Sequence, residues 1–441
     1  MKREQNMSDQ TTGTGRQQIG LTRTRARFGV LGLISVITMI NYLDRSVLGL
    51  AAPTMAKDLG LAAGSLGIIF SAFAWTYVAA QIPGGALLDR FGSKITYGFS
   101  VILWSAVTLL QAFVGGLGSL LACRLGLGIV EAPCFPTNSR IVGVWFPQKE
   151  RARATSIYTV GEYVGLAFLS PILLWIMHRY SWHALFVVVG ILGILMGVAW
   201  LVAYRNPQES RWANQAELDH IAAGGGLAAS QTNSTSFSWS NVGKLLRYRQ
   251  VWGASFGQFA GNATLVFFLT WFPSYLVHAR GMGWVKEGIF VMLPFMAGAI
   301  GVLSGGYLSD KLLHWTKSAN IARKTPIILG LLLASTIIAA NYVNSDKLVV
   351  AILSVAFFGQ GMVGLGWTVI SDIAPKSLAG LTGGIFNCVT NLSGIFTPLA
   401  IGYIVAATGS FYGALAFISA IALFGALSYI FILGDVKRIE L

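Results

Sequence analysis

Ionisable side chains are rare in the apolar segments of this chain, and their types suggest proton transfer and anion binding. Asp44 and Arg45 are adjacent in one apolar segment, Arg124 and Glu131 lie in another, and Glu162 lies in a third. An ionisable residue in an apolar segment long enough to cross a membrane is costly and by default marks a functional site. A plainer alternative is that these charges only pair with one another for packing.

Arg45 is the strongest candidate for binding an anion. Its guanidinium stays charged at any working pH and can hold a carboxylate through two parallel hydrogen bonds. We expect Asp44 to compete for it, because ionised Asp44 can hold Arg45 or Arg124, whereas protonated Asp44 lowers the negative potential that an anion meets. Such competition would couple a proton to the bound anion.

The second acidic segment is predicted to present its polar residues on one face. Arg124, Glu131 and Asn138 are spaced by seven residues, so they share a helix face that must look into protein or water. Counting about 1.5 Å per residue from the expected helix ends puts Asp44 roughly 18 Å and Glu131 roughly 20 Å deep. Two acids near the midplane suit a proton relay, with Arg124 and Asn138 as structural or charge partners.

Polar and aromatic residues also recur four positions apart, so that each pair shares a helix face. Such a pair can bind the hydroxyl groups of a polar ligand, or it can hydrogen-bond a neighbouring helix. Spacing alone leaves both interpretations open. The pairs are Tyr77 with Gln81, Gln258 with Asn262, Trp367 with Ser371, and Asn387 with Asn391.

The elements that position these residues must be membrane-spanning helices, because 54% of the 441 residues are hydrophobic and only 11% are charged. No soluble domain needs so much apolar surface. The predicted fold class is an all-α membrane protein with twelve transmembrane helices in two six-helix halves. A hydropathy window of about 19 residues places the spans near 28–56, 63–88, 95–115, 118–146, 153–177, 182–205, 250–279, 285–313, 325–344, 347–372, 378–408 and 411–435.

The distribution of basic residues predicts the orientation. With the N-terminus inside, 23 of the 31 Lys and Arg residues fall in inside segments and 5 in outside loops. The positive-inside rule then predicts a multi-pass membrane protein with both termini in the cytoplasm. The net charge of +14 therefore indicates attraction to anionic lipid head groups of the bilayer, and no nucleic-acid partner is expected.

An internal repeat divides the chain into two halves. "GGALLDRFGSK" after the second span returns as "GGYLSDK" after the eighth, which places Asp89 and Asp310 in equivalent loops. "NQAELDHIAAGGG" predicts a short helix in the linker that ends at its glycines. The predicted domains are a cytoplasmic tail at 1–27, a six-helix bundle at 28–205, a cytoplasmic linker at 206–249, a second bundle at 250–435 and a cytoplasmic tail at 436–441.

Catalytic and metal-binding patterns are missing from the sequence. Cys123, Cys134 and Cys388 fall inside predicted spans without metal-site spacing or a disulfide context. No nucleophile elbow or phosphate-binding loop is present either. We therefore expect no metal, no cofactor and no enzymatic activity.

Several segments carry a family resemblance. "GALLDRFGSK" resembles the loop signature of the major facilitator superfamily, and this resemblance implies gating roles for Asp89, Arg90 and, through the repeat, Asp310. "NYLDRSVLGLAAPTMAKDLG", "EAPCFPTNSRIVGVWFP", "LTWFPSYL" and "GLTGGIFNCVTNLSGIFTPLAIGYIV" resemble the anion:cation symporter branch. Within that branch the chain is most similar to bacterial glucarate, galactarate and galactonate carriers, and this resemblance implies a place in the bacterial inner membrane.

The resemblance also implies roles for single residues, with Asp44 and Glu131 as the acids that handle protons. The family often has Gln where this chain has Glu162, and this added acid could repel a doubly charged substrate or carry another proton. Gln81, Asn262, Ser371 and Asn391 remain candidates from spacing alone. The implied substrate contacts are Arg45, Tyr42, Tyr77, Gln258, Trp367 and Asn387.

These observations together predict a monomeric carrier that imports a sugar-acid anion, a hexarate or hexonate, with protons by alternating access. Two other classes stay open. An anion exchanger or facilitator would depend on counter-substrate rather than on pH. A ligand sensor on a transporter fold would bind without net flux.

Overall fold

The structure, a computed structural model, describes residues 23–226, 239–375 and 378–440. Throughout these ranges the chain forms helices and the loops that join them, and they contain no β-strand. A helix satisfies its own backbone hydrogen bonds, which is what a chain surrounded by lipid requires.

The first half of the chain contains six α-helices, one of which is interrupted. The 48-residue helix α2 has non-helical backbone angles at Gly92, with φ 74° and ψ 171°. As a straight helix α2 would be about 72 Å long, more than twice the roughly 30 Å hydrocarbon core. It therefore makes two crossings, α2a (63–91) and α2b (93–110). The six helices are α1 (Ala26–Asp58), α2 (Ala63–Leu110), α3 (Leu117–Glu131), α4 (Cys134–Trp145), α5 (Gln148–Arg179) and α6 (Trp182–Ala203).

The described parts of the linker and of the second half contain ten further α-helices. The linker helix predicted from the sequence is α7, which ends where Gly224 begins the glycine run. These helices are α7 (Gln215–Ala223), α8 (Trp239–Leu245), α9 (Arg249–Thr270), α10 (Phe272–Ser274), α11 (Trp284–Thr316), α12 (Ala319–Ser335), α13 (Asp346–Val363), α14 (Gly366–Ile373), α15 (Ala379–Thr408) and α16 (Tyr412–Leu427).

Apart from α7 and α8, the helices are long and apolar enough for twelve membrane crossings. In the described ranges ten helices are long and apolar enough to cross a membrane, and the bent pair Arg249–Thr270 and Phe272–Ala279, which meets at 55°, makes an eleventh. Two crossings for α2 bring the total to twelve, so the predicted fold class is confirmed. The crossing formed by α3 and α4 is interrupted at Ala132 and Pro133. Interrupted helices in transporters often line binding sites.

The linker contacts both described ends of the chain. Glu217 of α7 accepts hydrogen bonds from the backbone N–H groups of Ala26 and Arg27 at 3.0 and 3.2 Å, which satisfies free donors at the start of α1. The hydroxyl of Tyr248 donates to the carbonyl oxygen of Glu440 at 3.1 Å. Both ends therefore lie on one face of the bundle, here termed the terminal face, and the other is the opposite face.

The two halves meet along α2a and α15 and separate toward the terminal face. Beyond the last contact, a Cβ added to Gly85 or Gly383 would meet nothing within 4 Å. The cleft between the halves is therefore closed toward the opposite face and wider toward the terminal face. The contacts along the pair, starting from the opposite face, are Gly67 with Gly402, Ala74 with Gly394, and Gln81 with Asn387.

Candidate functional site

A cavity of about 60 Å³ lies between the two halves. Helices α1, α2a and α3 line it from the first half, and α9 and α15 line it from the second. A site at the interface of the repeats, near the middle of the helices, is where transporters of this architecture bind their ligands. The predicted site residues that line the cavity are Tyr42, Arg45, Tyr77, Arg124, Asn262 and Asn391.

Aromatic rings surround Arg45 in this cavity. Its guanidinium carbon lies 5.3 Å from the ring centre of Tyr42, 5.0 Å from that of Phe73 and 4.9 Å from that of Tyr77, and Phe135 is 5.7 Å away. Ring faces attract a cation at these distances. Phe73 and Phe135 were missed in the sequence, although Phe73 precedes Tyr77 by four residues and stacks on it.

Arg45 forms an ion pair with Glu131 rather than with its neighbour Asp44. The Arg45 Nε donates to Glu131 Oε1 at 2.6 Å, and Nη2 lies 2.6 Å from the same oxygen. Glu131 Oε2 is buried and has no hydrogen-bond partner among the described residues. The pair thus uses one oxygen of the Glu131 carboxylate. The guanidinium has five N–H donors, so others remain available for a ligand.

Asp44 and Arg124 are buried beside this pair. Asp44 is 1% exposed and Arg124 is 3% exposed, and both Arg124 and Glu131 lie close enough to Asp44 to interact with its carboxyl electrostatically. Within the described ranges, neither Asp44 oxygen has a hydrogen-bond partner, nor do Nε and Nη1 of Arg124. Arg124 therefore presents a second cation to the cavity. Asn138 donates to Thr38 Oγ1 at 3.0 Å, the kind of contact expected of a structural partner.

Amide side chains connect the second half to α2a. Asn262 donates to the Ser393 hydroxyl at 2.8 Å. Asn391 donates to Asn387 Oδ1 at 2.9 Å, and Asn387 donates in turn to Gln81 Oε1 at 3.2 Å. These bonds make Gln81 and Asn387 part of a polar chain that begins at the cavity wall. In this conformation Gln81, Asn387 and Asn262 therefore form interhelical hydrogen bonds, one of the two interpretations that spacing alone left open.

Besides Gln81 and Asn387, three further predicted substrate contacts lie outside the cavity, nearer to the terminal face. Gln258 Oε1 is buried without a partner among the described residues, and a Cβ added at Gly366 would strike it. Trp367 is 46% exposed and packs edge-on against Phe386. Ser371 donates to the carbonyl oxygen of Trp367 within its own helix.

Glu162 of α5 adds a third acid to the site. It is 3% exposed and lies beside the Tyr42 hydroxyl and within electrostatic reach of Arg45. It stands behind the cavity wall, because Tyr42 lines the cavity and Glu162 does not.

The predicted gating residues lie at the terminal face. Asp89 Oδ1 is 3.2 Å from Arg140 Nη1, which links α2a to α4 within the first half. Arg90 and Asp310 are exposed. None of the ion pairs found in the described ranges joins one of these residues to the other half, so a role in holding the halves together stays a prediction for another conformation.

Comparison with known proteins places this architecture in a family. Residues 34–396 match the family model described as Major Facilitator Superfamily. A probable galactarate/D-glucarate transporter, GudP of Escherichia coli strain K12, is 46% identical over 431 residues and covers 95% of this chain and 96% of its own. A D-galactonate transporter of Escherichia coli O6:H1 is 44% identical over 423 residues, 94% of this chain and 97% of its own. Among solved structures, an inward-facing bacterial homologue of the human lysosomal transporter Spinster has a TM-score of 0.68 at 20% identity and covers 92% of this chain and 96% of its own. The chain therefore belongs to the major facilitator superfamily.

Proposed function

We propose that this protein imports a sugar-acid anion, a hexarate or hexonate such as glucarate, galactarate or galactonate, together with protons by alternating access. The ion pair between Arg45 and Glu131 in the cavity carries the proposal. The substrate class is supported by the relatives described as galactarate/D-glucarate and D-galactonate transporters.

Coupling between the proton and the anion follows because Glu131 and the substrate carboxylate compete for the Arg45 guanidinium. While Glu131 is ionised it occupies Arg45 through Oε1, and a substrate carboxylate must displace it. A proton on Glu131 removes its charge and frees Arg45 for a bidentate grip on the substrate. Proton binding and anion binding therefore support each other, which is the thermodynamic requirement for symport.

The rest of the cavity suits a polyhydroxylated acid. Asn262 and Asn391 offer amide groups that can exchange their present partners for sugar hydroxyls, and Tyr77 adds an apolar face with a polar tip. Arg124 has unpaired donors in the described structure and can hold the second carboxylate of a hexarate. The charge of Glu162, which lies within electrostatic reach of Arg45, affects whether the site binds a singly or a doubly charged anion.

Alternating access is supported by how the halves pack. Glycines allow close backbone approach toward the opposite face, where Gly49 meets the carbonyl oxygens of Leu269 and Thr270 and Gly67 meets that of Pro398. Contacts without bulky side chains can separate as rigid bodies while the helices stay intact. With the opposite face outside, as the positive-inside rule predicts, this conformation faces the cytoplasm.

Two measurements test the proposal. Thermal-shift assays of the purified protein with glucarate, galactarate, galactonate, gluconate and hexuronates rank ligands, since a ligand that binds the folded state raises the melting temperature. Proteoliposomes loaded at alkaline pH and diluted into acidic buffer then test whether labelled galactarate accumulates. Uptake that requires internal counter-substrate and ignores the pH gradient would indicate an exchanger, and binding without flux would indicate a sensor.

A further inference from the structure

A column of buried polar side chains lies behind Asp44, on the side away from the central cavity. It occupies the junction of α1, α2b and α6, which pack against one another. None of its members lines the cavity, and each is at most 1% exposed. Within the described ranges, each has at least one buried side-chain nitrogen or oxygen without a hydrogen-bond partner: Asn41, Asp44, Trp104, Ser105, Thr108 and Gln111.

Helix geometry makes this set continuous. Trp104, Thr108 and Gln111 are spaced by four and three residues, so they follow one face of α2b over about 10 Å. The indole of Trp104 and the hydroxyl of Thr108 lie beside the Asp44 carboxyl. Gln111 begins the short turn Gln111–Phe113 that packs against α6, and the exposed Gly115 of the opposite-face loop follows. The column thus leads from the opposite face to Asp44.

Ser105 marks where α6 packs against the column. A Cβ added to Gly193 of α6 would strike the Ser105 hydroxyl, and Ile40 of α1 is next to the same point. Because Gly193 has no side chain, α6 packs closely against Ser105 and leaves its hydroxyl at the junction with the other buried donors and acceptors. Polar atoms buried in proteins nearly always have a partner, either protein or ordered water. The indole can only donate, whereas hydroxyl, amide and carboxylate oxygens accept, and water satisfies both kinds.

We propose that this column holds a chain of ordered water molecules and gives Asp44 a proton route from the opposite face that bypasses the substrate cavity. A proton passes from one water to the next, and the Asp44 carboxylate accepts it without any other reactant. The charged groups that face Asp44 are Arg124 and Glu131 of α3, whereas α6 carries only His183, near its start at the opposite face. The proton's role rests on the symport proposed above, but the presence of water does not.

Hydroxyl-radical footprinting with X-rays tests for the water directly, because radicals formed from a bound water modify the side chain beside it. Trp104 and Trp200 are both 0% exposed, but the Trp200 indole donates to the Lys94 carbonyl oxygen at 3.0 Å and needs no water. We expect Trp104 to be modified at least about fivefold faster than Trp200 in the detergent-purified full chain. Equal rates would mean that the column is dry and would overturn the proposal.

Near-isosteric substitutions test the route. Thr108→Val and Gln111→Leu each remove polar atoms from the column without changing the cavity. Uptake of labelled galactarate driven by an inward proton gradient should slow by at least about fivefold, because the water chain loses a member. Counterflow without a gradient and the melting-temperature shift with galactarate should stay within about twofold of wild type. Thr264→Val is the matched control, since its buried hydroxyl bonds only the Ala260 carbonyl oxygen of its own helix.

The outcomes separate this proposal from the proposed function. Unchanged gradient-driven uptake in both variants overturns the route. An equal loss of counterflow and gradient-driven uptake in both assigns the residues a structural role and also overturns it. Wild-type uptake that ignores the gradient refutes symport, and with it the route, whereas the footprint of Trp104 still decides whether water occupies the column.

Discussion

Replacing Glu131 with Gln should separate substrate binding from proton coupling. The amide is nearly the same shape but carries no charge, so it imitates the protonated acid at every pH. In the structure the ionised acid competes with the substrate for Arg45 through a contact of 2.6 Å. A hydrogen bond to a charged group contributes about 1.5 to 3 kcal/mol and a neutral one about 0.5 to 1.5 kcal/mol, so the competing contact weakens by about 1 to 1.5 kcal/mol.

That difference predicts tighter binding of galactarate to the Glu131→Gln variant at alkaline pH, by about 5- to 12-fold in Kd. The affinity should also depend less on pH than in wild type, because the titrating competitor is gone. Exchange of labelled for unlabelled substrate should persist in counterflow assays. Accumulation driven by a proton gradient should vanish, because the empty carrier can no longer return without its proton.

The measurements are isothermal titration at two pH values and proteoliposome uptake with and without an imposed gradient. Glu209→Gln provides a matched control, since Glu209 is exposed in the short turn that follows α6 and should behave as wild type. Gradient-driven uptake near the wild-type level would show that Glu131 is not the coupling site, which would move the role to Asp44 or Glu162. Weaker binding in the variant would show that Glu131 contacts the substrate instead of competing with it.

Three further predictions use the same site. Arg45→Lys should weaken sugar-acid binding by about 10-fold or more, because an ammonium cannot form the two parallel hydrogen bonds of a planar guanidinium. A Kd within threefold of wild type would contradict this prediction. Arg323→Lys is the control, because Arg323 pairs with Asp372 outside the cavity. Glu162→Gln should change the pH dependence of uptake or the preference between hexonates and hexarates, and no change in either assay would make Glu162 a bystander. Gly67→Leu should push α2a from α15 and lengthen the distance between spin labels at Lys57, in the last turn of α1, and His278, in the turn that follows α10 in the second half. This distance is measured by double electron–electron resonance. Gly85→Leu, with no neighbour within 4 Å, should leave it unchanged.

Hydropathy and charge were enough to predict the helices, because apolar length and the position of basic loops follow directly from the bilayer. They could not predict where a helix is interrupted. The break after Glu131 depends on Pro133 and its packing against Gly84, which is a tertiary contact. The division of α2 at Gly92 was anticipated only as a loop between two spans.

Spacing predicted which side chains share a face, but not their partners. Asp44 was expected to compete for Arg45, and the structure pairs Arg45 with Glu131 instead, 86 residues away. Trp367 and Ser371 share a face as predicted, yet they lie outside the cavity because the halves diverge toward the terminal face. The buried column from Gln111 to Asp44 was missed for a related reason. Its residues are unremarkable one by one, and only the packing of α1, α2b and α6 brings them together.

The Arg45 and Glu131 pair also explains why leak would be suppressed in the proposed cycle. In an empty carrier, ionised Glu131 neutralises the charge of Arg45. In a loaded carrier with protonated Glu131, the substrate carboxylate neutralises it instead. A protonated carrier without substrate would leave a largely buried guanidinium unpaired, and removing one partner of a buried pair costs about 3 to 5 kcal/mol. A loaded carrier with ionised Glu131 would force two carboxylates onto one cation. Both mixed states are disfavoured for the same reason, so proton and anion must cross together or not at all.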